Sequence, residues 1–540
     1  MNFKQNESSQ KLRGGYYTPK ELALFLSEWV SKNNPNKILE PSFGDGVFLK
    51  AMSKFLETKS VIEGIELDLN EFLKVKEKNI SNVSVINDDF LSWYLNNPNK
   101  NNSFDAVIGN PPFIRYQYLS KEDQQFSEEI FKKHNLKFTK HTNAWVPFIV
   151  SSISLLKPGG RFAMVVPSEI IHVMHAQSLR VFLGECCKKI LIIDPEEIWF
   201  EDTLQGAVML MIEKKKNSND LSDGLKIKQV KGNSFLKRNP DEYFLNNDFS
   251  DRELISGKWT KALLSDTEIS LFEKIIEHNE VYKFSDIADV AVGIVTGANK
   301  FFLVNTDTVE KHQLAKYAHP MFGRSQHCPG VLYNNKQHEK NKENKLPTNF
   351  LWFDVESEEQ LSNSASRYIK IGEKEELHRR FKCRIREPWF KVPSIYSTSI
   401  GMLKRCHNSP KLIFNEIDAY TTDTAYRIKT RDINEKKLVY CFINSFTALC
   451  AEIEGRYYGG GVLELVPSEI RSLYIPVPKE TRQNLNKLDD LIMNQTRDET
   501  LAKQDQKILK SIGLSDNEIN TIYGAWNRLR KRRQRNSEVD

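Results

Sequence analysis

The apolar run Phe104–Gly109 stops abruptly at Asn110-Pro111-Pro112-Phe113. Two prolines fix φ at about −65° and supply no N–H, so the chain cannot continue as a central strand. The carbonyl and amide oxygens of the turn are thereby held as acceptors at the carboxyl end of a strand, next to an aromatic face. That arrangement suits a planar amine. Asn-Pro also opens ordinary turns, so the reading depends on what precedes it.

Three earlier runs give it context. Lys37-Ile38-Leu39-Glu40-Pro41-Ser42-Phe43-Gly44-Asp45-Gly46 reads as a buried strand, a glycine-containing loop and the start of a helix. The loop has neither the G-x-G-x-x-G spacing of a dinucleotide fold nor the G-K-[ST] ending of a phosphate loop. An acid at its mouth suits a cationic ligand. The second run, Ser60–Asp68, ends in carboxylates, where a strand-end acid takes the two hydroxyls of a ribose. The third, Val83–Phe90, ends in an acid and an aromatic, which could satisfy an adenine amino group and an adenine face. Taken singly, Glu66 and Asp89 could be helix caps. Acids at three successive strand ends make capping alone a poor explanation. Upstream, Thr18-Pro19-Lys20-Glu21 reads as an N-cap, an N1 proline and a capping-box acid for a helix over Leu22–Val30.

From Leu22 to about Lys216 short apolar runs alternate with amphipathic stretches, the pattern of an α/β sheet. The 540 residues allow two to four domains, and a mean hydropathy of −0.50 with 27% charged residues fits a soluble globular protein. A net charge of +6 permits nucleic-acid binding without requiring it. Seven cysteines without a repeated C-x-x-C support neither a disulfide framework nor a zinc site, and no metal is expected. The N-terminus lacks an apolar signal core and no run of 18 apolar residues occurs, so the expected location is the cytoplasm, away from membranes.

With these residues in order, the chain resembles the TaqI-like (γ arrangement) DNA adenine-N6 methyltransferases of restriction-modification systems. The motifs that match are Tyr17-Thr18-Pro19, Glu40-Pro41, Glu66, Asp89-Phe90 and Asn110 to Phe113, with Phe113 where the commoner motif has Tyr. The resemblance implies a Rossmann-like, mostly parallel sheet with one reversed strand near its edge, followed by a mixed α+β target-recognition domain. It implies that Thr18 touches the methionine end of S-adenosylmethionine, that Glu40, Pro41, Ser42 and Phe43 line its loop, that Glu66 binds ribose and that Asp89 with Phe90 holds adenine. Asn110, Pro111, Pro112 and Phe113 would be catalytic. The target adenine would be flipped from duplex DNA and stacked on Phe113, with a second ring at Phe200, or failing that Trp199.

The expected domains are a catalytic domain over 1–216, a connector over 217–280, a target-recognition domain over 281–480 and a helical, basic segment over 481–540. In the second half, Asp289–Phe302, His319–Gln326 and Arg456–Leu465 resemble landmarks of the recognition domain. There Lys300 could reach phosphate, and Arg324 and Gln326 are side-chain types that read base edges. The run Arg528–Arg535 could contact phosphates or be a solvated, disordered tail. Asp194 with Glu213-Lys214-Lys215 mimics a nuclease motif by coincidence. Only 17 residues precede Thr18, so any restriction endonuclease partner is expected to be separately encoded, and the chain to be the modification half of a restriction-modification pair or a solitary methyltransferase; double-stranded DNA is the expected partner and the chain is expected to be a monomer. The alternatives are a methyltransferase for another planar amine, in RNA or on protein glutamine, and a catalytically decayed DNA-specificity protein.

Overall fold

The computed structural model describes residues 18–57, 59–173, 176–196, 206–245, 249–250, 258–458 and 460–534. The chain divides into two compact units, one reaching Leu264 and the other spanning Ser265–Arg533.

The first unit is built on eight strands: β1 (Lys37–Glu40), β2 (Val61–Glu66), β3 (Val83–Asn87), β4 (Phe104–Gly109), β5 (Leu156–Pro167), β6 (Cys187–Pro195), β7 (Ala207–Lys214) and β8 (Gly224–Val230). Their order across the sheet is β3-β2-β1-β4-β5-β7-β6-β8. Every neighbouring pair is parallel except those of β7, which runs antiparallel to both β5 and β6. The central strands are apolar on both faces, as a parallel sheet covered by helices requires. One cover is α1 (Lys20–Ser31), whose Leu22, Phe25, Leu26 and Trp29 recur at helical spacing and are all buried. Another is α2 (Trp145–Leu155), in which ten side chains of eleven are buried, including Trp145, Phe148 and Ile149. A helix buried on all sides, with only small serines among its apolar residues, belongs in a core. The chain order reverses between β1 and β4, and in open α/β sheets ligands bind outside the carboxyl ends of the strands at such a point.

Three expectations need correction. Helix α1 begins at Lys20, with Pro19 in the N-cap position and no side-chain cap, so Thr18 does not cap it. The Pro19 carbonyl accepts the Ala23 N–H (3.1 Å), and the Thr18 hydroxyl is engaged elsewhere. The stretch read as a connector supplies β8, and its helix Asp241–Leu245 lays Phe244 against Trp29, ring centroids 4.9 Å apart. Its polar composition reflects an edge strand with a half-wet face. Most of the basic run is engaged within the protein. Up to Gln534 it lies in the helix Asp516–Gln534, with Arg530, Arg532 and Arg533 buried and Lys531 exposed, and Arg535 lies outside the described residues. Arg528 forks onto Glu268 (2.6 and 2.8 Å), Arg530 onto Asp498 (2.8 and 3.1 Å), and Arg533 onto Glu452 (2.7 and 2.9 Å).

Register also separates the nuclease-like residues. Ile193 lies opposite Met209 and Lys189 opposite Glu213. Asp194 and Glu213 therefore sit about five residues apart along the sheet, roughly 17 Å at the rise of a strand.

The second unit contains a five-stranded sheet in the order Ala288–Val292, Ala425–Thr430, Ile400–Leu403, Leu412–Asn415 and Leu332–Tyr333. A separate aromatic cluster, including Phe301, Phe302, Tyr368, Trp389 and Phe390, forms its other core. Among the described residues, no helix is long and apolar enough to cross a membrane.

Candidate active site

A cavity of 960 Å³ opens at the carboxyl ends of β1 to β4. Its walls bring together Thr18, Glu40, Pro41, Ser42, Phe43, Glu66, Asp89, Phe90, Asn110 and Pro112 from segments scattered over about 95 residues of chain. Each strand delivers its last residue or the turn that follows.

At the end of β1, Glu40 is 1% exposed, and its Oε2 has no hydrogen-bond partner among the described residues. Burial, reinforced by the charges of Asp45 and Glu66, holds its carboxyl well above the ordinary value, against a backbone hydrogen bond from Leu49. A buried carboxylate oxygen left without a donor is costly unless a ligand completes it. The loop beyond turns through Gly46 at φ +76°, where an added Cβ would lie 3.0 Å from Val75. That conformation and that clearance leave little room for another residue.

At the end of β2, Glu66 accepts the backbone N–H of Gly44 on one oxygen and of Asp68 on the other, each at 2.8 Å. Burial raises its carboxyl, and those two N–H groups oppose the rise. The cap of the following helix, Leu69–Glu77, is Asp68, which leaves Glu66 facing the cavity. Asp89 does cap its helix, Phe90–Asn96, by accepting the Ser92 N–H at 2.7 Å. It also lines the cavity, and burial raises its carboxyl. Phe90 packs on Phe148 of α2, ring centroids 5.0 Å apart, and both line the wall beside it.

Past β4, Asn110 donates from Nδ2 to the Thr18 hydroxyl (3.1 Å), and its backbone carbonyl accepts the Ser42 hydroxyl (3.1 Å). The Asn110 side chain is thus oriented by a residue 92 positions away. Pro112 lines the cavity; Pro111 is buried outside it. Phe113 is half-buried against the core of the unit and is not among the lining side chains. Phe200 and Trp199 lie outside the described residues. Lys300, Arg324 and Gln326 are exposed on the second unit.

Some lining residues were not assigned from the sequence. Phe148 and Ala144 were hidden in an apolar helical run, and Asp45, Asp68 and Asp88 beside the strand-end acids. Behind them Asn143 ties two loops together. Its Oδ1 accepts the Tyr116 N–H (3.2 Å) and its Nδ2 donates to Glu169 (3.0 Å), while the Ala144 N–H reaches the Ile114 carbonyl (2.9 Å). Nothing local marks that clamp.

The sheet order, the reversed strand β7 and the cavity at the switch point form a Rossmann-like, mostly parallel core with a ligand site at the strand ends. Its lining suits a cationic ligand such as S-adenosylmethionine, because an acid-lined cavity with an unsatisfied buried carboxylate oxygen favours positive charge. Residues 21–199 match the Eco57I restriction-modification methylase family, and residues 256–509 match the C-terminal domain of the type II methyltransferase M.Eco57I. Together the two matches take in most of the chain, which is thus similar along its length to type II restriction-modification methyltransferases. It is 25% identical to the type II methyltransferase M.AccI of Acinetobacter calcoaceticus, over 84% of each chain. It is 26% identical to M.HindII of Haemophilus influenzae, over 56% of this chain and 57% of that protein. The DNA-bound structure of the type IIL restriction-modification enzyme MmeI has a similar fold, with a TM-score of 0.54 and 12% identity, covering 94% of this chain and 75% of that one.

Proposed function

We propose that the chain transfers a methyl group from S-adenosylmethionine to N6 of an adenine flipped out of duplex DNA, as the modification enzyme of a restriction-modification system. The observation that supports this most is the placement of Asn110: fixed through Thr18 and Ser42, it lines the same cavity as the acids at the ends of β1 to β3.

The N6 lone pair of adenine is delocalised into the ring, so the amine is a weak nucleophile. Acceptors on its N–H bonds draw it toward a tetrahedral shape. In this reading the Asn110 side-chain oxygen and the Pro111 carbonyl are those acceptors, and the Thr18 hydroxyl, by accepting Nδ2–H, turns Oδ1 toward the substrate. S-adenosylmethionine supplies an activated methyl group on a cationic sulfur. The rest of the work is alignment and exclusion of water. Glu40 faces the cationic methionyl end, Glu66 uses lone pairs left by its two N–H partners for ribose hydroxyls, and Asp89 with Phe90 holds the adenine of the cofactor. Phe113, half-buried with its base packed on the core, offers a stacking face for the flipped base. Phe200 is the proposed opposite wall, Lys300, Arg324 and Gln326 are proposed DNA contacts, and the endonuclease partner and monomeric state are proposals of the same kind.

Sequencing DNA from cells that express the chain, with chemistry that reports N6-methyladenine, tests the whole reading. Methylation at one recurring sequence is the expected result. Unmodified DNA in cells that accumulate folded protein overturns it, and methyl transfer to RNA or protein by the same preparation would redirect it to another planar amine.

A further inference from the structure

On the second unit, residues 377–391 contain six lysines and arginines against one glutamate, Glu387, in a chain whose net charge is only +6. Within this segment Arg379, Arg380, Lys382 and Arg384 are exposed, and so are two apolar side chains that would ordinarily be buried, Phe381 at 62% and Ile385 at 64%. Lys382 and Arg384 lie 5.6 and 5.5 Å from the centre of the Phe381 ring. Among the described residues, Arg379 is paired with Glu376 at 2.6 Å, and Arg380, Lys382 and Arg384 meet no carboxylate.

The projection is anchored from below. Leu377, Cys383, Trp389 and Phe390 are buried in the aromatic core of the unit. Arg386 donates to the carbonyls of Thr296 (2.8 Å) and Val295 (2.6 Å). At Gly297, with φ +79°, an added Cβ would come within 2.8 Å of the Lys382 Cβ and 3.1 Å of the Cys383 sulfur. The glycine therefore lets its loop pack closely against the basic segment. Lys300 stands exposed in the short helix Asn299–Phe302 that follows the loop. An aromatic and an aliphatic side chain presented among unpaired cations on a fixed base match two demands of duplex DNA at once, phosphate neutralisation and an apolar wedge at a base step.

Resting on the proposed action on DNA, we infer that residues 380–385 form a duplex-contacting projection in which Arg380, Lys382 and Arg384 neutralise phosphates and Phe381 and Ile385 press against the bases. The test uses the full chain and measures affinity for duplex DNA across a range of salt, with S-adenosylmethionine binding and thermal unfolding as controls. The combined variant Arg380→Gln, Lys382→Gln, Arg384→Gln should lower the slope of log affinity against log salt by about 2 to 3, at about 0.9 per phosphate contact. Its deficit should be greatest at low salt. Phe381→Ala should weaken binding about tenfold at every salt concentration with the slope unchanged, since an uncharged contact releases no counterions. An unchanged affinity and slope in the triple variant, with a wild-type chain that binds DNA, overturns the projection alone. A wild-type chain that binds S-adenosylmethionine and no duplex overturns both the projection and the DNA reading. Binding to phosphatidylserine vesicles that is lost in Phe381→Ala, while DNA affinity stays constant, would assign the projection to a membrane surface and likewise overturn it.

Discussion

Glu40 in the first unit and Glu452 in the second are both buried carboxylates, 1% and 0% exposed, and their surroundings are opposite. Glu452 meets the Arg533 guanidinium through hydrogen bonds of 2.7 and 2.9 Å, and Arg533 also donates to the carbonyls of His407, Asn408 and Gly461. Glu40 has Asp45 and Glu66 as its charged neighbours, and one oxygen lacks a donor among the described residues. Glu452 is completed by its own chain, while Glu40 is left incomplete. Completion marks structure, and incompleteness at a strand end marks a place for a ligand.

The contrast is easiest to break at the pair. Arg533→Met leaves Glu452 buried and unpaired, which should destabilise the second unit by about 3–5 kcal/mol. Joint replacement with Glu452→Leu should recover much of that. Denaturant unfolding of the single and double variants checks it, and a double variant as unstable as the single one would show that the pair is not the relevant unit. S-adenosylmethionine binding should persist in both, since the cavity lies wholly in the first unit.

Asn110→Ala sharpens the other side. Folding and cofactor binding should be nearly unchanged, while single-turnover methyl transfer should fall by about 10²–10³, the scale of losing one preorganised polar group at a transition state. Thr18→Val should show a smaller loss of the same kind, because it removes the hydroxyl that orients Asn110 and leaves the acceptor in place. Turnover near wild type in Asn110→Ala would exclude the acceptor role.

How much of this was legible in the sequence differs between the units for a physical reason. Strand-end acids could be read because a strand is short and its last residue is fixed by the apolar run before it. That reading located Glu40, Glu66, Asp89 and Asn110 on one cavity. The link from Thr18 to Asn110 could not be read, because it is a long-range contact and the local pattern at Thr18 imitated a helix cap. The basic run at 528–533 misled for a related reason. Charge is visible in a sequence and its partners are not, and Glu268, Glu452 and Asp498 lie 32 to 260 positions away. Phe381 escaped notice because its significance is its exposure, which composition does not report.

Stacking gives a smaller effect. Phe113→Ala should weaken capture of the flipped adenine by about 1–3 kcal/mol, whereas Phe113→Tyr or Phe113→Trp should keep most activity because the π-face survives. A 2-aminopurine at the target position reports it, brightening when unstacked from DNA and dimming on a ring. Equal signals in Phe113→Ala and wild type would place Phe113 purely in the core it packs against.

The smallest effect concerns the proton on Glu40 and separates a ligand-completed acid from a self-completed one. Its carboxyl is raised in the folded chain, chiefly by burial, so the native state holds this proton more tightly than the unfolded state does. Without cofactor, this contribution to stability is fully present below the ordinary carboxylate value and is lost as pH rises through the raised folded value. Glu40→Gln should flatten that dependence and raise the melting temperature at neutral pH. A cationic ligand favours the ionised carboxylate and should expel the proton, so wild-type binding heats measured below the raised value should vary with the ionisation enthalpy of the buffer. In Glu40→Gln that variation should vanish and affinity for S-adenosylmethionine should fall about tenfold, the lower end of what a charged hydrogen bond contributes. If the variant keeps both the buffer dependence and the affinity, the cation is met elsewhere in the cavity. Asp45 and Asp68, two further acids that line the cavity, would then be the residues to change.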